Sequence, residues 1–171
     1  MWKWLSKTIA FFVLAVASVG AVWLSWPVPE VLQPTAFPHA KHVALRMICV
    51  SCHTGAFQEA RAGIPSTQVC ALCHKVDRTF PPTSQQLAAF IRSGQEIPWK
   101  PVEQLPRHVY FSHRRHVKVA GLNCANCHGN VGAKVEPVTQ SHFSKGEAGM
   151  MQCVDCHRRE RVTTDCLGCH H

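Results

Sequence analysis

Ten cysteines in this 171-residue sequence form five pairs, and two residues separate the members of each pair. A histidine follows the second cysteine every time, so C-x-x-C-H occurs five times and no cysteine is left over. This spacing suits haem c, because two thiols can form thioethers with the haem vinyl groups while the histidine reaches the iron. The predicted attachment residues are Cys49, Cys52, Cys70, Cys73, Cys124, Cys127, Cys153, Cys156, Cys166 and Cys169. The predicted proximal ligands are His53, His74, His128, His157 and His170.

Paired cysteines also occur in three other kinds of site. Two C-x-x-C pairs can hold zinc, and a lone C-x-x-C can be a redox dithiol. Ten cysteines can also form a disulfide framework. None of these requires a histidine directly after the second cysteine in five pairs out of five. The pattern therefore favours five covalently bound haems over zinc, dithiol or disulfide chemistry.

Two H-x-x-H pairs provide candidates for the opposite, distal face of the irons. Each pair follows a phenylalanine in the pattern F-x-H-x-x-H, which begins at Phe37 and again at Phe111. Two histidines so close in sequence cannot reach opposite faces of one iron, so each pair should serve two neighbouring haems. The four distal ligands predicted in this way are His39, His42, His113 and His116.

A fifth distal ligand is less clearly marked in the sequence. His142 is the first choice, because it lies between the third and fourth attachment sites. Met150 or Met151 is the second choice, and a methionine ligand would raise the reduction potential. His171 adjoins a proximal histidine and is less convenient. His108 is expected to be a polar loop residue.

The amount of protein per haem indicates the fold class. The 145 residues after residue 26 provide only 29 for each of five haems. The haems must therefore pack against one another and form much of the core. The prediction is a loop-rich multihaem cytochrome c with short helices around stacked haems, occupying residues 37–171 in two repeats that start near residues 37 and 111. Between the repeats, the sequence predicts a short helix over residues 84–94, followed by an extended segment over residues 97–111.

The first 26 residues differ from the rest in being almost wholly apolar. Residues 8–26 contain no charge, and as a helix they would span about 28 Å, close to the thickness of a bilayer core. Lys3 and Lys7 precede this run, which places the N-terminus in the cytoplasm and the haem domain on the periplasmic side. We therefore expect one N-terminal transmembrane helix in the inner membrane, followed by a proline-rich tether over residues 27–36.

A cleaved signal peptide is the alternative interpretation of the same segment. Residues 15–17 read Ala-Val-Ala, which is an acceptable cleavage site. Cleavage there would leave the apolar residues 18–26 as an exposed N-terminus, so an uncleaved anchor is favoured. Both interpretations deliver the haem domain to the same side of the membrane.

A formal net charge of +8 is compatible with nucleic-acid binding. Lys3 and Lys7 belong to the predicted anchor, which leaves +6 on the remainder of the chain. Each ferric haem adds about one negative charge through its propionates, so five haems bring the total to about +1. The basic residues largely balance propionates, and no nucleic-acid partner is expected.

Several stretches resemble known multihaem proteins. H-x-x-H followed by C-x-x-C-H resembles the class III multihaem cytochromes. The stretches AGIPSTQVCALCH, IPWKPVEQLPRHVYFSHRRHV, CANCHG and MMQCVDCHR are similar to the pentahaem subunit of alternative complex III, over residues 37–158. The chain departs from that family in being short, with its fifth motif at the very end.

The resemblance implies a function in electron transfer. Alternative complex III oxidises quinol with polytopic quinone-binding membrane subunits, so the expected partners are such subunits, other cytochrome or iron–sulfur subunits, and a periplasmic electron acceptor. The chain itself would have no catalytic residues. The same kind of subunit could serve another quinone-linked or molybdenum-enzyme respiratory complex.

Two catalytic alternatives were also considered. A nitrite-reducing multihaem enzyme needs an iron with an open coordination position, whereas histidines here outnumber the ligands required. A stand-alone tetrahaem quinol dehydrogenase has methionine in a first motif of the form C-x-x-C-H-x-M. Residues 49–55 read CVSCHTG, without that methionine. The sequence therefore favours an electron carrier over an enzyme.

Overall fold

The structure is a computed structural model that describes residues 11–16, 18, 30–77, 82–144 and 146–170. Residues 11–16 and 18 are helical, and most of the predicted anchor lies outside the described residues. Within the described parts, no helix has the length and apolar character needed to cross a membrane. The chain divides into two compact units, residues 1–30 and residues 31–171.

The second unit is built from short helices and turns connected by loops. Its described residues form five α-helices: α1 His39–Ala44, α2 Thr67–Ala71, α3 Gln85–Ser93, α4 Ala125–His128 and α5 Glu147–Arg159. Arg114–Val119 is a π-helical turn, and 3-10 turns occupy Cys49–Ser51, Thr54–Phe57, Val131–Ala133 and Cys166–Gly168. An isolated antiparallel bridge joins Val109 to His170. The loop-rich architecture with short helices is the one predicted.

Helix α3 begins and ends at the residues that the sequence marks. The Ser84 hydroxyl accepts a hydrogen bond from the Leu87 backbone N–H at 3.2 Å, which satisfies one of the free amides of the first turn. Gly94 ends the helix with φ of 67°, a conformation that glycine adopts without strain. The predicted helix between the repeats is confirmed.

A buried threonine fixes the helix that carries the second attachment motif. Thr67, at the start of α2, is 1% exposed. Its hydroxyl donates to the Gln95 carbonyl at 3.0 Å and accepts from the Ile97 N–H at 2.8 Å. The Thr67 N–H donates to the Glu96 carboxylate at 2.7 Å. The segment after α3 therefore holds α2 in place.

Side chains contribute little to the interior of this unit. Among the described residues, the buried apolar side chains are Ala56, Ala88 and Ile97. Three small or medium side chains cannot form the core of a domain of this length. This agrees with the expectation that haems fill much of the interior.

The described end of the predicted tether lies against the haem domain. The Val31 N–H donates to the Thr139 carbonyl at 2.8 Å. The Gln33 amide donates to the Lys100 carbonyl at 2.9 Å, and its oxygen accepts from the Lys100 N–H at 3.2 Å. Thr35 is buried. Residues 31–35 are thus part of the folded domain.

Candidate haem-binding sites

The C-x-x-C-H motifs fold into nearly identical helical turns. In the first three motifs the histidine N–H donates to the carbonyl of the first cysteine at 2.9 Å, and in the fifth at 2.8 Å. The fourth motif lies within helix α5. Residues at positions i, i+3 and i+4 share one face of such a turn, so both thiols and the imidazole lie on the same side. This is the arrangement that one haem requires for two thioethers and one axial bond.

The cysteine side chains are present as thiols available for attachment. All ten lie in the described part of the chain, and none of them is in a disulfide. Burial raises the pKa of the thiols of Cys52, Cys70, Cys124, Cys127 and Cys153. Neighbouring cysteines raise the pKa of each of them further, which indicates that motifs distant in sequence lie close together.

The spacing of histidine rings provides a test of whether an iron fits between them. A metal–imidazole bond is about 2.0 Å long and the ring centre lies about 1.15 Å behind the nitrogen, so two imidazoles on opposite faces of one iron have centres roughly 6.3 Å apart. His42 and His74 have ring centres 6.2 Å apart, His113 and His128 also 6.2 Å, and His116 and His157 6.1 Å. Three proximal histidines thus face a histidine of an H-x-x-H pair at the distance that an iron requires.

The first proximal histidine also has an H-x-x-H partner nearby. Burial lowers the pKa of His39, and the His53 imidazole is the next largest cause of that lowering. The Nδ1 atom of His39 is buried without a hydrogen-bond partner among the described residues. A low pKa keeps an imidazole neutral, which is the form that binds a metal.

The fifth proximal histidine faces a residue that the sequence interpretation had set aside. The rings of His108 and His170 are stacked, with centres 5.4 Å apart and planes at 23°. The backbone holds the two segments together, since Val109 bridges to His170 and the Tyr110 N–H donates to the Cys169 carbonyl at 2.8 Å. An outward shift of about 0.8 Å would bring this pair to the spacing of the others.

Hydrogen bonds at Nδ1 orient most of these rings. The Nδ1 atom lies 2.8 Å from the Gly63 carbonyl in His53 and 2.7 Å from the Thr163 carbonyl in His157. His42 and His116 make the same contact with the carbonyl of the residue four positions earlier, at 3.0 and 2.9 Å. A ring that donates from Nδ1 to a carbonyl directs Nε2 the other way and increases its basicity as a ligand. The residues present fit haem iron.

The two F-x-H-x-x-H segments have the same geometry. In the first, the Phe37 ring lies edge-on to His39 at 4.7 Å and stacks on His42 at 4.5 Å. In the second, Phe111 contacts its two histidines in the same two ways at 4.8 and 4.5 Å. The phenylalanine therefore fixes the orientation of both rings of each pair. In the first copy Trp99 packs edge-on against Phe37 as well.

His142 lies beside the third attachment motif, and its ring makes an edge-on contact with Phe143 at 6.2 Å. Its backbone N–H donates to the Glu103 carboxylate at 2.7 Å, and its ring lies over Gly129, where an added Cβ would come within 3.0 Å of it. Burial lowers the pKa of His128. The Glu103 carboxylate opposes this shift, whereas the His142 imidazole acts in the same direction as burial. Met150 and Met151 lie in helix α5, and Met150 is 44% exposed.

Comparison with known proteins agrees with this geometry. The family model of cytochrome c7 and related cytochrome c matches residues 35–92 and 109–171. The chain belongs to this family. Its cofactor is therefore covalently bound haem c. The multihaem cytochrome c subunit of menaquinone reductase from Nitratidesulfovibrio vulgaris strain Hildenborough is 32% identical over 188 residues, covering 94% of this chain and 88% of that protein. Both comparisons identify a multihaem cytochrome c of electron transfer, and neither points specifically to alternative complex III.

The contact between His108 and His170 was not predicted, because nothing near His108 in sequence resembles a ligand motif. His108 lies two residues after Pro106 and three residues before Phe111, where the second F-x-H-x-x-H segment begins. A comparison of the number of attachment motifs with the number of H-x-x-H histidines would have given a signal. If the four H-x-x-H histidines are distal ligands of four irons, the fifth motif has no candidate ligand close to it in sequence. The β-bridge between Val109 and His170 brings His108 close to the fifth motif. Sequence alone does not predict such a contact between distant segments.

Proposed function

We propose that this chain is the electron-relay subunit of a quinone-reactive membrane complex and carries five haems. The observation that supports this most is the ring spacing of 6.1–6.2 Å between three proximal histidines and their H-x-x-H partners. Haem, when bound, supplies the one-electron chemistry. The histidines would hold each iron from both faces, which would leave no coordination position for a substrate.

We assign His108 as the fifth distal ligand, in place of His142. The ring centres of His108 and His170 lie 5.4 Å apart with planes at 23°, whereas the ring of His142 lies over Gly129. The other distal ligands are His39 for the first haem, His42 for the second, His113 for the third and His116 for the fourth. Met150 and Met151 then have no role as ligands.

A matched pair of variants tests this assignment. His108→Ala should convert one of five low-spin haems to high-spin without changing the number of haems, whereas His142→Ala should leave all five low-spin. Magnetic circular dichroism and electron paramagnetic resonance count the two spin states directly. High-spin iron in His142→Ala together with an unchanged His108→Ala spectrum would overturn the assignment.

The relative's function supports menaquinone as the membrane partner. Because that protein is a subunit of menaquinone reductase, we propose that this chain passes electrons from a periplasmic donor towards menaquinone through membrane-embedded partner subunits. Flow in the opposite direction, from quinol to a periplasmic acceptor, is the second candidate. It is favoured by the resemblance of residues 97–117 to the pentahaem subunit of alternative complex III.

The location proposed for the haem domain is the periplasmic surface of the inner membrane, held by the N-terminal segment. The charge-free run over residues 8–26 and the two lysines before it support this. Residues 31–35 pack on the domain, so little free chain would separate it from the membrane.

The function is tested with membranes from cells that lack this subunit. Chemically reduced holoprotein added to such membranes should restore reduction of menaquinone, and oxidised holoprotein should restore little oxidation of menaquinol. The reverse result would establish the quinol-oxidising direction. Rapid menaquinol oxidation by the purified chain without its partners would contradict the relay and identify a stand-alone dehydrogenase.

A further inference from the structure

The order of the haems in space can be inferred from the segments that hold their ligands. We number the haems one to five by their attachment motifs along the chain. The first link comes from helix α1, which carries both His39 and His42. His42 faces His74 of haem two at 6.2 Å, and His39, three residues earlier on the same helix, is the ligand proposed for haem one. Haems one and two are therefore neighbours.

The second H-x-x-H pair links haems three and four in the same way. His113 faces His128 of haem three at 6.2 Å, and His116 faces His157 of haem four at 6.1 Å. Phe111 contacts both rings of the pair and fixes their relative orientation. Two haems whose distal ligands are three residues apart on one helical turn must lie side by side.

A single loop joins haem one to haem three. The Nδ1 of His53 lies 2.8 Å from the Gly63 carbonyl, and the Nδ1 of His113 lies 3.0 Å from the Ala60 carbonyl. The His113 N–H also donates to the Ala60 carbonyl at 3.0 Å. Residues three apart have Cα atoms within about 11 Å of each other. One short loop segment, residues 60–63, therefore accepts hydrogen bonds from an axial ligand of each of these two haems.

The attachment cysteines support the contact between haems one and three. The Cys124 thiol makes a side-chain hydrogen bond with Cys49, so the two side chains are in contact; burial raises the pKa of the Cys124 thiol most, and Cys49 raises it further. These are the first cysteines of the third and first motifs. Their proximity places the thioether edges of the two haems beside each other.

The fourth link joins haem four to haem five. The Nδ1 of His157 lies 2.7 Å from the Thr163 carbonyl, and the Val162 N–H donates to the His157 carbonyl at 3.0 Å. The Thr163 methyl lies 3.7 Å from the position that a Cβ would take at Gly168, inside the fifth attachment turn. Burial raises the pKa of Cys153, and the Cys169 thiol is the next largest cause.

We infer that the haems form one row in the order two, one, three, four, five. Haems one, three and four each take part in two of these links, while haems two and five take part in one. The ends of the electron path are then the motif over residues 70–74 and the motif over residues 166–170. Electrons that enter at one end and leave at the other must cross all five haems. This inference rests on the five-haem relay proposed above.

The competing arrangement follows the order of the motifs along the chain. It would place haem two between haems one and three. The two arrangements differ in one contact, since the inferred row requires haem one to touch haem three, whereas the chain-order row requires haem two to touch haem three.

Nuclear magnetic resonance of the fully reduced holoprotein distinguishes these contacts, because low-spin ferrous haems are diamagnetic. Each haem is assigned to its motif through cross-relaxation between its thioether protons and its own cysteines. Cross-relaxation between haems one and three and between haems four and five is expected. Contact between haems two and three would overturn the inferred order, as would the absence of a one–three contact where the two–one contact is seen. A haem count other than five by intact mass would instead overturn the proposed function, so the two failures are separable.

Discussion

Replacement of Thr67 by valine should destabilise the domain through loss of the hydroxyl alone, since the two side chains have similar shape. The Thr67 hydroxyl accepts from the buried Ile97 N–H at 2.8 Å and donates to the Gln95 carbonyl at 3.0 Å. Leaving a buried N–H unpaired costs about 1–3 kcal/mol, and losing a less buried hydrogen bond costs about 0.5–1.5 kcal/mol. The free energy of unfolding should therefore fall by about 2–4 kcal/mol.

The assay is guanidinium unfolding of the holoprotein, followed by far-ultraviolet circular dichroism. Thr67→Ser is the matched control, because it keeps both hydrogen bonds and loses only one buried methyl group, which costs about 1 kcal/mol. Since α2 carries Cys70, the valine variant should also expose the second haem earlier in the transition than the others. If valine and serine variants unfolded at the same guanidinium concentration, the hydroxyl would not be holding α2 to the segment after α3.

Three further outcomes are expected. Gly129→Ala should lower the free energy of unfolding by about 2–3 kcal/mol, because the backbone has φ of 62° and the new methyl group would meet the His142 ring at 3.0 Å. Gly94→Ala should cost only about 1 kcal/mol, because φ of 67° and ψ of 12° lie in the left-handed helical region and an added Cβ would have nothing within 4 Å. Gly129 has ψ of −159°, in a region nearly restricted to glycine, so equal losses in guanidinium unfolding would contradict both the backbone strain and the contact with His142. Joint replacement of Cys166 and Cys169 by alanine should reduce the intact mass by one haem, from five to four, and an unchanged haem count would show that the fifth motif is not used. Alkaline washing should leave the protein in the membrane, and a mature N-terminus near residue 18 would show instead that the apolar segment is cleaved.

Local patterns in the sequence predicted the parts of the structure that depend on neighbours along the chain. The cap at Ser84 and the glycine at position 94 are sufficient to define helix α3, and the spacing of C-x-x-C-H is sufficient to place three side chains on one face of a turn. The repeated F-x-H-x-x-H segments also have the same geometry, because Phe37 and Phe111 contact their histidines alike.

Contacts between distant segments were not predictable in this way. His108 faces His170 because an extended stretch pairs with the end of the chain through the Val109 bridge, 61 positions apart. Gln33 bonds Lys100 across 67 positions, which joins a predicted linker to the domain. The order of haems likewise depends on which loop carbonyls accept from which histidines. Such pairings are determined by tertiary packing, and neither hydrophobic periodicity nor residue spacing predicts them.

Coulometric reduction of the holoprotein under carbon monoxide tests the central claim most directly. A relay with every iron held by two histidines should take up five electrons per chain, and the spectrum of the reduced protein should be the same with and without carbon monoxide. Uptake of fewer than five electrons, or a carbon monoxide complex at any haem of the native protein, would contradict the account by showing a missing haem or an iron open to substrate.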